Sequence, residues 1–271
     1  MTTSSAPTRL VALDVDGTII DIDGRLSDRV RDAVAAVAAA GIHVVVATGR
    51  SSFGTVPILD RLGLQHGYAV CSNGAVVLRL DPDQPVGYEV VQAETFDPST
   101  LLKLLREHLP TALYAVEILG FGHRLTAPFP EGELSGEMEF VAFDDLLGTP
   151  VTRVIVRSPE HTSQDFLDLV GRLGLHEASY AVGWTAWLDL APEGVSKASA
   201  LETVRGWLGV PAENTLAVGD GRNDLEMFGW AARSVAMGQA DPEVIGAASE
   251  ATAPVGEDGL AIVLEALAES L

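Results

Sequence analysis

Cysteine is almost absent from this chain, since only Cys71 occurs among 271 residues. A single cysteine cannot form an internal disulfide, so the composition gives no reason to expect an oxidising compartment. The first residues, "MTTSSAPTR", also lack the apolar stretch that a secretory signal requires. We therefore expect a cytoplasmic protein, with residues 1–8 as a frayed polar tail.

Basic side chains are scarce as well. The chain has 17 Lys and Arg against 38 Asp and Glu, which gives a formal charge of -21. A field of that sign disfavours nucleic acids and anionic membranes as partners. Apolar runs such as "HVVVAT" are far shorter than the roughly 18 residues of a membrane span. A phosphate-bearing substrate would need local positive charge, which a bound divalent cation would supply.

The first clear elements predict a strand, a helix and a second strand. "TRLVALDVDGT" is an apolar run too short for a typical helix and is ended by Asp and Gly, which favours a buried parallel strand. "LSDRVRDAVAAVAAAG" predicts a helix capped by Ser27, with Val30, Val34 and Val37 on one face and Gly41 at its end. "IHVVVATGR" is the second strand. Such a unit predicts a parallel sheet that binds ligands beyond the carboxyl ends of its strands.

The same alternation returns late in the chain, in "SKASALETVRGWLG", "NTLAVGDG", "RNDLEMFGWA" and "RSVAMG". Between the two halves the pattern changes, beginning with the turn-rich "LDPDQPVGYE". We predict an α/β protein with a doubly wound, Rossmann-like parallel-sheet core formed by residues 1–80 and 187–271. An α+β cap domain, residues 81–186, is inserted into it.

Polar side chains are expected to converge on one edge of the predicted core sheet. They come from four separate segments, namely Asp14 with Asp16, Thr48, Lys197, and Asp220 with Asn223 and Asp224. Clustered carboxylates suit Mg²⁺, which would also relieve their mutual repulsion. A carboxylate can attack phosphorus as a nucleophile, and a second can serve as general acid and base. A lysine and a hydroxyl can hold phosphoryl oxygens, so the set fits phosphoryl transfer.

These segments resemble a known family. "DVDGT" at 14–18, the threonine of "VVVATGR", the lysine of "EGVSKASAL" and "GDGRNDLEM" at 219–227 are similar to the ordered motifs of the haloacid dehalogenase-like phosphohydrolases. The resemblance is closest to the Cof-type sugar-phosphatase branch, which "GVSK", "NGA" at 73–75 and a long insertion also fit. It covers residues 9–80 and 187–271, and does not extend to the cap sequence.

The resemblance implies Mg²⁺-dependent hydrolysis of small phosphomonoesters, sugar phosphates in particular. Asp14 would be the nucleophile and a metal ligand. Asp16 would be the general acid and base, and its backbone carbonyl would bind the metal. The other positions would bind the phosphoryl group, at Thr48, Lys197 and Asn223, or the metal, at Asp220 and Asp224.

Further residues could contact a substrate. For Arg50, a substrate contact and a structural role are equally consistent with the sequence. Asn73 before Gly74 is foremost a turn signal. In the cap, a solvated face or the cap core is the favoured interpretation for five side chains: Glu117, His123, Arg124, Trp184 and Trp187.

Two other functions stay open from the sequence. A phosphomannomutase-like phosphotransferase would use the same motifs and a similar cap, returning the phosphoryl group to a sugar. A phospho-ligand-binding protein without turnover is the other alternative, although the paired Asp14 and Asp16 argue against it, because a binder needs no nucleophile beside an acid and base.

Overall fold

Two sheets organise the structure, a computed structural model that describes residues 8–130, 132–158, 160–173, 178–182 and 187–270. The strands are β1 Leu10–Leu13, β2 His43–Ala47, β3 Gly67–Cys71, β4 Val76–Leu80, β5 Tyr88–Ala93, β6 Leu113–Ile118, β7 Gly122–Leu125, β8 Glu137–Phe140, β9 Arg153–Arg157, β10 Ala178–Val182, β11 Trp187–Pro192, β12 Thr215–Gly219, β13 Arg233–Ala236 and β14 Glu250–Ala251. The helices are α1 Asp28–Ala39, α2 Ser52–Leu62, α3 Ser99–His108, α4 Ser163–Leu173, α5 Lys197–Leu208, α6 Leu225–Trp230, α7 Pro242–Ala247 and α8 Gly259–Glu269.

The larger sheet has the strand order β14-β13-β12-β1-β2-β3-β4-β5. Its strands are parallel from β14 to β3, and β4 and β5 are antiparallel additions at one edge. The chain proceeds outward from β1 through β2 and β3, and outward on the other side from β12 through β13. The topological switch point therefore lies between β1 and β12, where ligand sites of such sheets occur. The predicted fold class is confirmed.

Both faces of β1 are buried, which explains its unbroken apolar sequence. Val11 and Leu13 pack with residues of α1, α2 and α8 on one face of the sheet. Leu10 and Ala12 pack with residues of α5, α6 and α7 on the other. Alternate side chains of a strand point to opposite faces, so helices cover the sheet on both sides.

The predicted α1 forms as expected. The Ser27 side chain accepts a hydrogen bond from the backbone of Val30 at 3.1 Å, which caps the first turn. Val30, Val34 and Val37 are buried against the core, while the helix ends before Gly41, whose φ is +84°.

The smaller sheet has the strand order β10-β11-β9-β6-β7-β8 and is antiparallel apart from the β7–β8 pair. Leu102 and Leu105 of α3 and Phe166 and Leu169 of α4 pack on one of its faces. We call this unit, from α3 to β11, the cap. No helix within the described ranges is long and apolar enough to cross a membrane.

The predicted boundaries at residues 81 and 187 differ from the limits of the two sheets. Strand β5 belongs to the larger sheet, because residues 81–87 form a turn between two antiparallel strands rather than a link between domains. Strand β11 belongs to the cap sheet, where it pairs with β9 and β10. Residues 183–186, beside the second boundary, and residues 1–7 of the predicted tail lie outside the described residues.

Candidate active site

The predicted site residues follow the carboxyl ends of neighbouring strands. Asp14 follows β1, Thr48 follows β2 and Asp220 follows β12. Lys197 is the first residue of α5, whose start is fixed by a capping box between Ser196 and Ser199. The parallel pairing of these strands brings the polar residues to one edge of the sheet, as the sequence predicts.

Asp14, Asp220 and Asp224 form a buried acidic cluster bridged by Lys197. Oxygen atoms of the three carboxylates lie within 4.8 Å of one another. The ammonium nitrogen of Lys197, whose side chain is 0% exposed, lies 2.5 Å from Asp14 Oδ1 and 2.7 Å from Asp224 Oδ1. A charge-assisted pair of hydrogen bonds thus fixes the nucleophile candidate beside the loop that follows β12.

Burial controls the protonation of this cluster. Burial, reinforced by the charge of Asp224, raises the pKa of Asp14 well above its usual value. Burial and the same neighbour raise the pKa of Asp220 to about 7. For Lys197, burial would lower the pKa, but the carboxylates of Asp14 and Asp224 outweigh burial and raise the pKa above its usual range. The lysine therefore stays charged among acids that repel one another.

The donor set fits a hard divalent cation. With all groups ionised, three buried carboxylates face one ammonium group, so the cluster carries excess negative charge. Carboxylate oxygens are the ligands that Mg²⁺ prefers, and a cation would offset the repulsion that raises the pKa values. The coordinates of the three side chains thus support the predicted metal positions Asp14, Asp220 and Asp224.

Gly17 gives Asp220 the space it occupies. The glycine has φ +82°, and a Cβ added there would lie 2.1 Å from Asp220 Oδ2. Gln239 Nε2 donates both to the Gly17 carbonyl at 2.7 Å and to Asp220 Oδ2 at 3.2 Å. The glycine of "DVDGT" therefore serves the close approach of two loops as well as a turn.

The Asp16 carboxylate lies apart from the acidic cluster. Arg50 donates to it twice, from Nε to Oδ2 at 2.8 Å and from the second guanidinium nitrogen to Oδ1 at 2.6 Å. The Asp16 side chain is 56% exposed, in contrast to buried Asp14. The predicted metal contact of Asp16 involves its backbone carbonyl and not this side chain. Arg50, predicted as a possible substrate contact, is bound to the candidate acid and base.

Thr48, Asn73 and Asn223 complete the predicted set. Thr48 is buried, and its hydroxyl accepts a hydrogen bond from the backbone N–H of Arg50 at 3.1 Å. Asn223 Nδ2 donates to Asn73 Oδ1 at 3.0 Å, and Asn73 Nδ2 donates to Asp189 Oδ2 of the cap at 3.4 Å. The structure thus brings Asn73 and Asn223, 150 positions apart, into direct contact.

A pocket lies between the core and the cap. From the predicted set, Lys197, Asn73 and Asn223 line it, and the cap contributes Arg153 and Asp189. Sequence reasoning missed these two cap residues. The sequence marks each of them only as a charged residue within an apolar strand, in "TRVIVRSP" and "WLDLAP". What each residue contacts depends on the pairing of strands that are far apart in sequence, which the sequence pattern does not give.

The cap candidates take different places. His123 is buried, as the favoured interpretation expects, whereas Glu117 is buried where the cap meets the core and accepts a hydrogen bond from Ser72 of the core at 2.7 Å. Arg124 forms an ion pair with Glu139 at 2.8 Å, and Trp187 packs edge-on against Phe129. Trp184 lies outside the described residues.

The doubly wound sheet, with acids and a lysine buried at its switch point, defines an α/β enzyme with an acidic active-site cluster. The family model of the haloacid dehalogenase-like hydrolases matches residues 11–264, and the chain belongs to that family.

Relatives cover nearly the whole chain. The protein YkrA of Bacillus subtilis (strain 168) is 30% identical over 273 residues, covering 96% of this chain and 97% of the relative. Phosphatase YwpJ of the same strain is 26% identical over 294 residues, covering 96% and 99%. A solved haloacid dehalogenase-like hydrolase from B. subtilis has a TM-score of 0.81 at 24% identity, covering 95% of this chain and 99% of that chain. The predicted family and enzyme class, a phosphatase of this family, are confirmed.

Proposed function

We propose that this enzyme hydrolyses small phosphomonoesters, sugar phosphates in particular, through a phosphoaspartate at Asp14 with Mg²⁺ as cofactor. The observation that carries the proposal is the buried Asp14 carboxylate, held at 2.5 Å by Lys197 within the acidic cluster. A carboxylate so fixed is oriented before substrate binds, which removes much of the entropic cost of attack.

Asp14, Asp220 and Asp224 would hold the cation, together with the backbone carbonyl of Asp16. The ion would polarise a phosphoryl oxygen and offset the negative charge of the carboxylates and the phosphoryl group. Lys197, already among the acids, would bind phosphoryl oxygens, and Thr48 and Asn223 would donate further hydrogen bonds. Binding of an anionic phosphoryl group there therefore depends on the lysine and the cation together.

Asp16 would act as general acid and then as general base. Its carboxylate is accessible to solvent, while Asp14 is buried. In the first step Asp14 Oδ would form a bond to phosphorus as the P–O bond to the alcohol breaks, and Asp16 would give a proton to the leaving alcohol oxygen. In the second step Asp16 takes a proton from water, which attacks phosphorus and releases the Asp14 carboxylate and inorganic phosphate.

The lining of the pocket suits a small polar substrate. Side chains of both the core and the cap form its walls. The lining includes the polar groups of Asn73, Asp189 and Arg222, which suit a leaving group that carries hydroxyls.

Phosphate release from a panel of phosphomonoesters, with Mg²⁺ and with EDTA, tests the proposal. Asp14→Asn keeps the shape of the side chain but removes its nucleophile, and Asp23→Asn changes an exposed acid nearby as the matched control. We expect metal-dependent release in the wild-type and control chains and none with Asp14→Asn.

Two other outcomes would overturn the proposal. Isomerised ester with little free phosphate would identify a phosphomannomutase-like enzyme. Binding of an ester without turnover, unchanged in Asp14→Asn, would identify a non-catalytic binding protein.

A further inference from the structure

Three charged cap side chains meet at the boundary with the core. Glu117 on β6 lies opposite Arg153 on β9, and Asp189 is on β11, the other neighbour of β9. Arg153 Nε lies 3.0 Å from Glu117 Oε2, and Arg153 Nη1 lies 3.5 Å from Asp189 Oδ1. Arg153 is only 5% exposed, so its charge depends on these two acids for compensation.

The two acids also contact the core. Ser72 Oγ donates to Glu117 Oε1 at 2.7 Å, and Asn73 Nδ2 donates to Asp189 Oδ2 at 3.4 Å. Ser72 has φ +51° and Asn73 φ +53°, in a left-handed region that residues other than glycine rarely adopt. Two such residues in sequence persist where surrounding contacts hold them, and the cap supplies one side-chain contact to each.

Arg153 itself reaches the loop that follows β2. Its Nη1 donates to the carbonyl oxygen of Gly49, the residue between Thr48 and Arg50. The cap touches the same region again nearby, because Ser135 Oγ would lie 3.1 Å from a Cβ added to Gly54. The cap therefore holds the segment from Thr48 to Gly54 by a hydrogen bond at Gly49 and lies close to it at Gly54.

The same loops position the candidate catalytic groups. Two backbone hydrogen bonds join the loop after β2 to the loop after β3. The N–H of Ser72 donates to the carbonyl oxygen of Arg50 at 2.8 Å, and the N–H of Asn73 donates to the carbonyl oxygen of Thr48 at 3.0 Å. Arg50 in turn binds the Asp16 carboxylate through two hydrogen bonds. A continuous set of contacts thus runs from Arg153 of the cap to Asp16 of the core.

We infer that Arg153, neutralised by Glu117 and Asp189, is a positioning residue that fixes the loop of Thr48 and Arg50 and through it the Asp16 carboxylate. The inference rests on the proposed function for the role of Asp16. In this arrangement the seated cap completes the core site, and it does so by holding the backbone of Gly49 rather than by touching the reacting phosphoryl group.

The test compares two arginines of the same strand. Arg153→Lys keeps the charge but loses the planar fork that reaches several acceptors. Arg157→Lys is the matched control, because Arg157 pairs with Glu133 within the cap at 3.4 Å. We expect Arg153→Lys to lower kcat about ten-fold or more with KM changed by less than about three-fold, and Arg157→Lys to leave both within about two-fold.

A second pair of variants covers the case in which Arg153→Lys fails to fold. Glu117→Gln retains the shape and the acceptor for Ser72 but removes the charge beside Arg153, and Glu133→Gln is its control. The same fall in kcat without a change in KM is expected for Glu117→Gln alone. Equal kcat values for each variant and its control would overturn the inference.

Hydrogen exchange separates this inference from the proposed function. Amides of residues 48–54 and 72–75 should exchange faster in Arg153→Lys than in Arg157→Lys, whatever the substrate. A wild-type chain without phosphatase activity would refute the proposed function, while equal exchange in the two variants would refute the positioning role of Arg153.

Discussion

At the scale of single residues, the arrangement depends on Lys197 and the acids around it. The sequence predicts that Asp14, Asp220 and Lys197 meet, because two of them end parallel strands and the third begins a helix at the same edge. It does not predict that the Asp16 side chain binds Arg50 instead of joining the cluster. The choice of acid that a guanidinium group binds depends on the positions of side chains in the folded protein.

Replacing Lys197 by Met should nearly abolish turnover. The change removes the ammonium group that bridges Asp14 and Asp224. The nucleophile therefore loses its orientation, and the phosphoryl group loses a binding partner. We expect kcat/KM to fall about 10²–10³-fold in a phosphate-release assay. Lys103→Met, at an exposed position of α3, is the control and should retain activity. Equal activity in both variants would contradict the assigned role.

At the scale of elements, the loop after β1 determines how closely the strand ends approach. The "DVDGT" motif indicates a strand followed by a turn, and this much follows from the sequence. The contact of Gly17 with Asp220 does not, because the two residues lie in loops after separate strands and are brought together only by the β1–β12 pairing. The sheets that β5 and β11 join do not follow from the sequence either, since strand partners are set by the sheet as a whole.

Gly17→Ala should impair the site, whereas Gly24→Ala should not. Both glycines have positive φ, +82° and +73°, but a Cβ at Gly17 would lie 2.1 Å from Asp220 Oδ2 while nothing lies within 4 Å at Gly24. Both variants should lose about 1 kcal/mol of stability from backbone strain. Only Gly17→Ala should also lose activity, by about ten-fold or more, because Asp220 must shift. Denaturation and phosphate-release measurements on the two variants provide the comparison, and equal activities would show that Asp220 tolerates displacement.

At the scale of the whole molecule, a buried histidine of the cap links stability to pH. His123 is 0% exposed, and burial, together with the charge of Arg153, lowers its pKa to about 3. In the unfolded chain a histidine binds its proton near pH 6.5. The unfolded state therefore takes up a proton below that pH while the folded state does not, so stability is lost as the pH falls from about 6.5 towards 3.

His123→Gln should reduce this loss. Between pH 7 and pH 5, the decrease in the free energy of unfolding should be smaller than in the wild-type chain by about 2 kcal/mol. Urea denaturation at both pH values measures it, and His66→Gln, at an exposed position, is the control. An identical pH dependence in His123→Gln and the wild-type chain would contradict the burial of a neutral His123.

The central claim is that Asp14 carries the phosphoryl group during turnover. Acid quenching of the wild-type enzyme during turnover of a ³²P-labelled phosphomonoester, followed by pepsin at acid pH, at which an acyl phosphate survives, would locate the label. The account predicts label on a peptide that contains Asp14, and its absence in Asp14→Asn. Rapid phosphate release with no label on that peptide, or with label elsewhere in the chain, would contradict it.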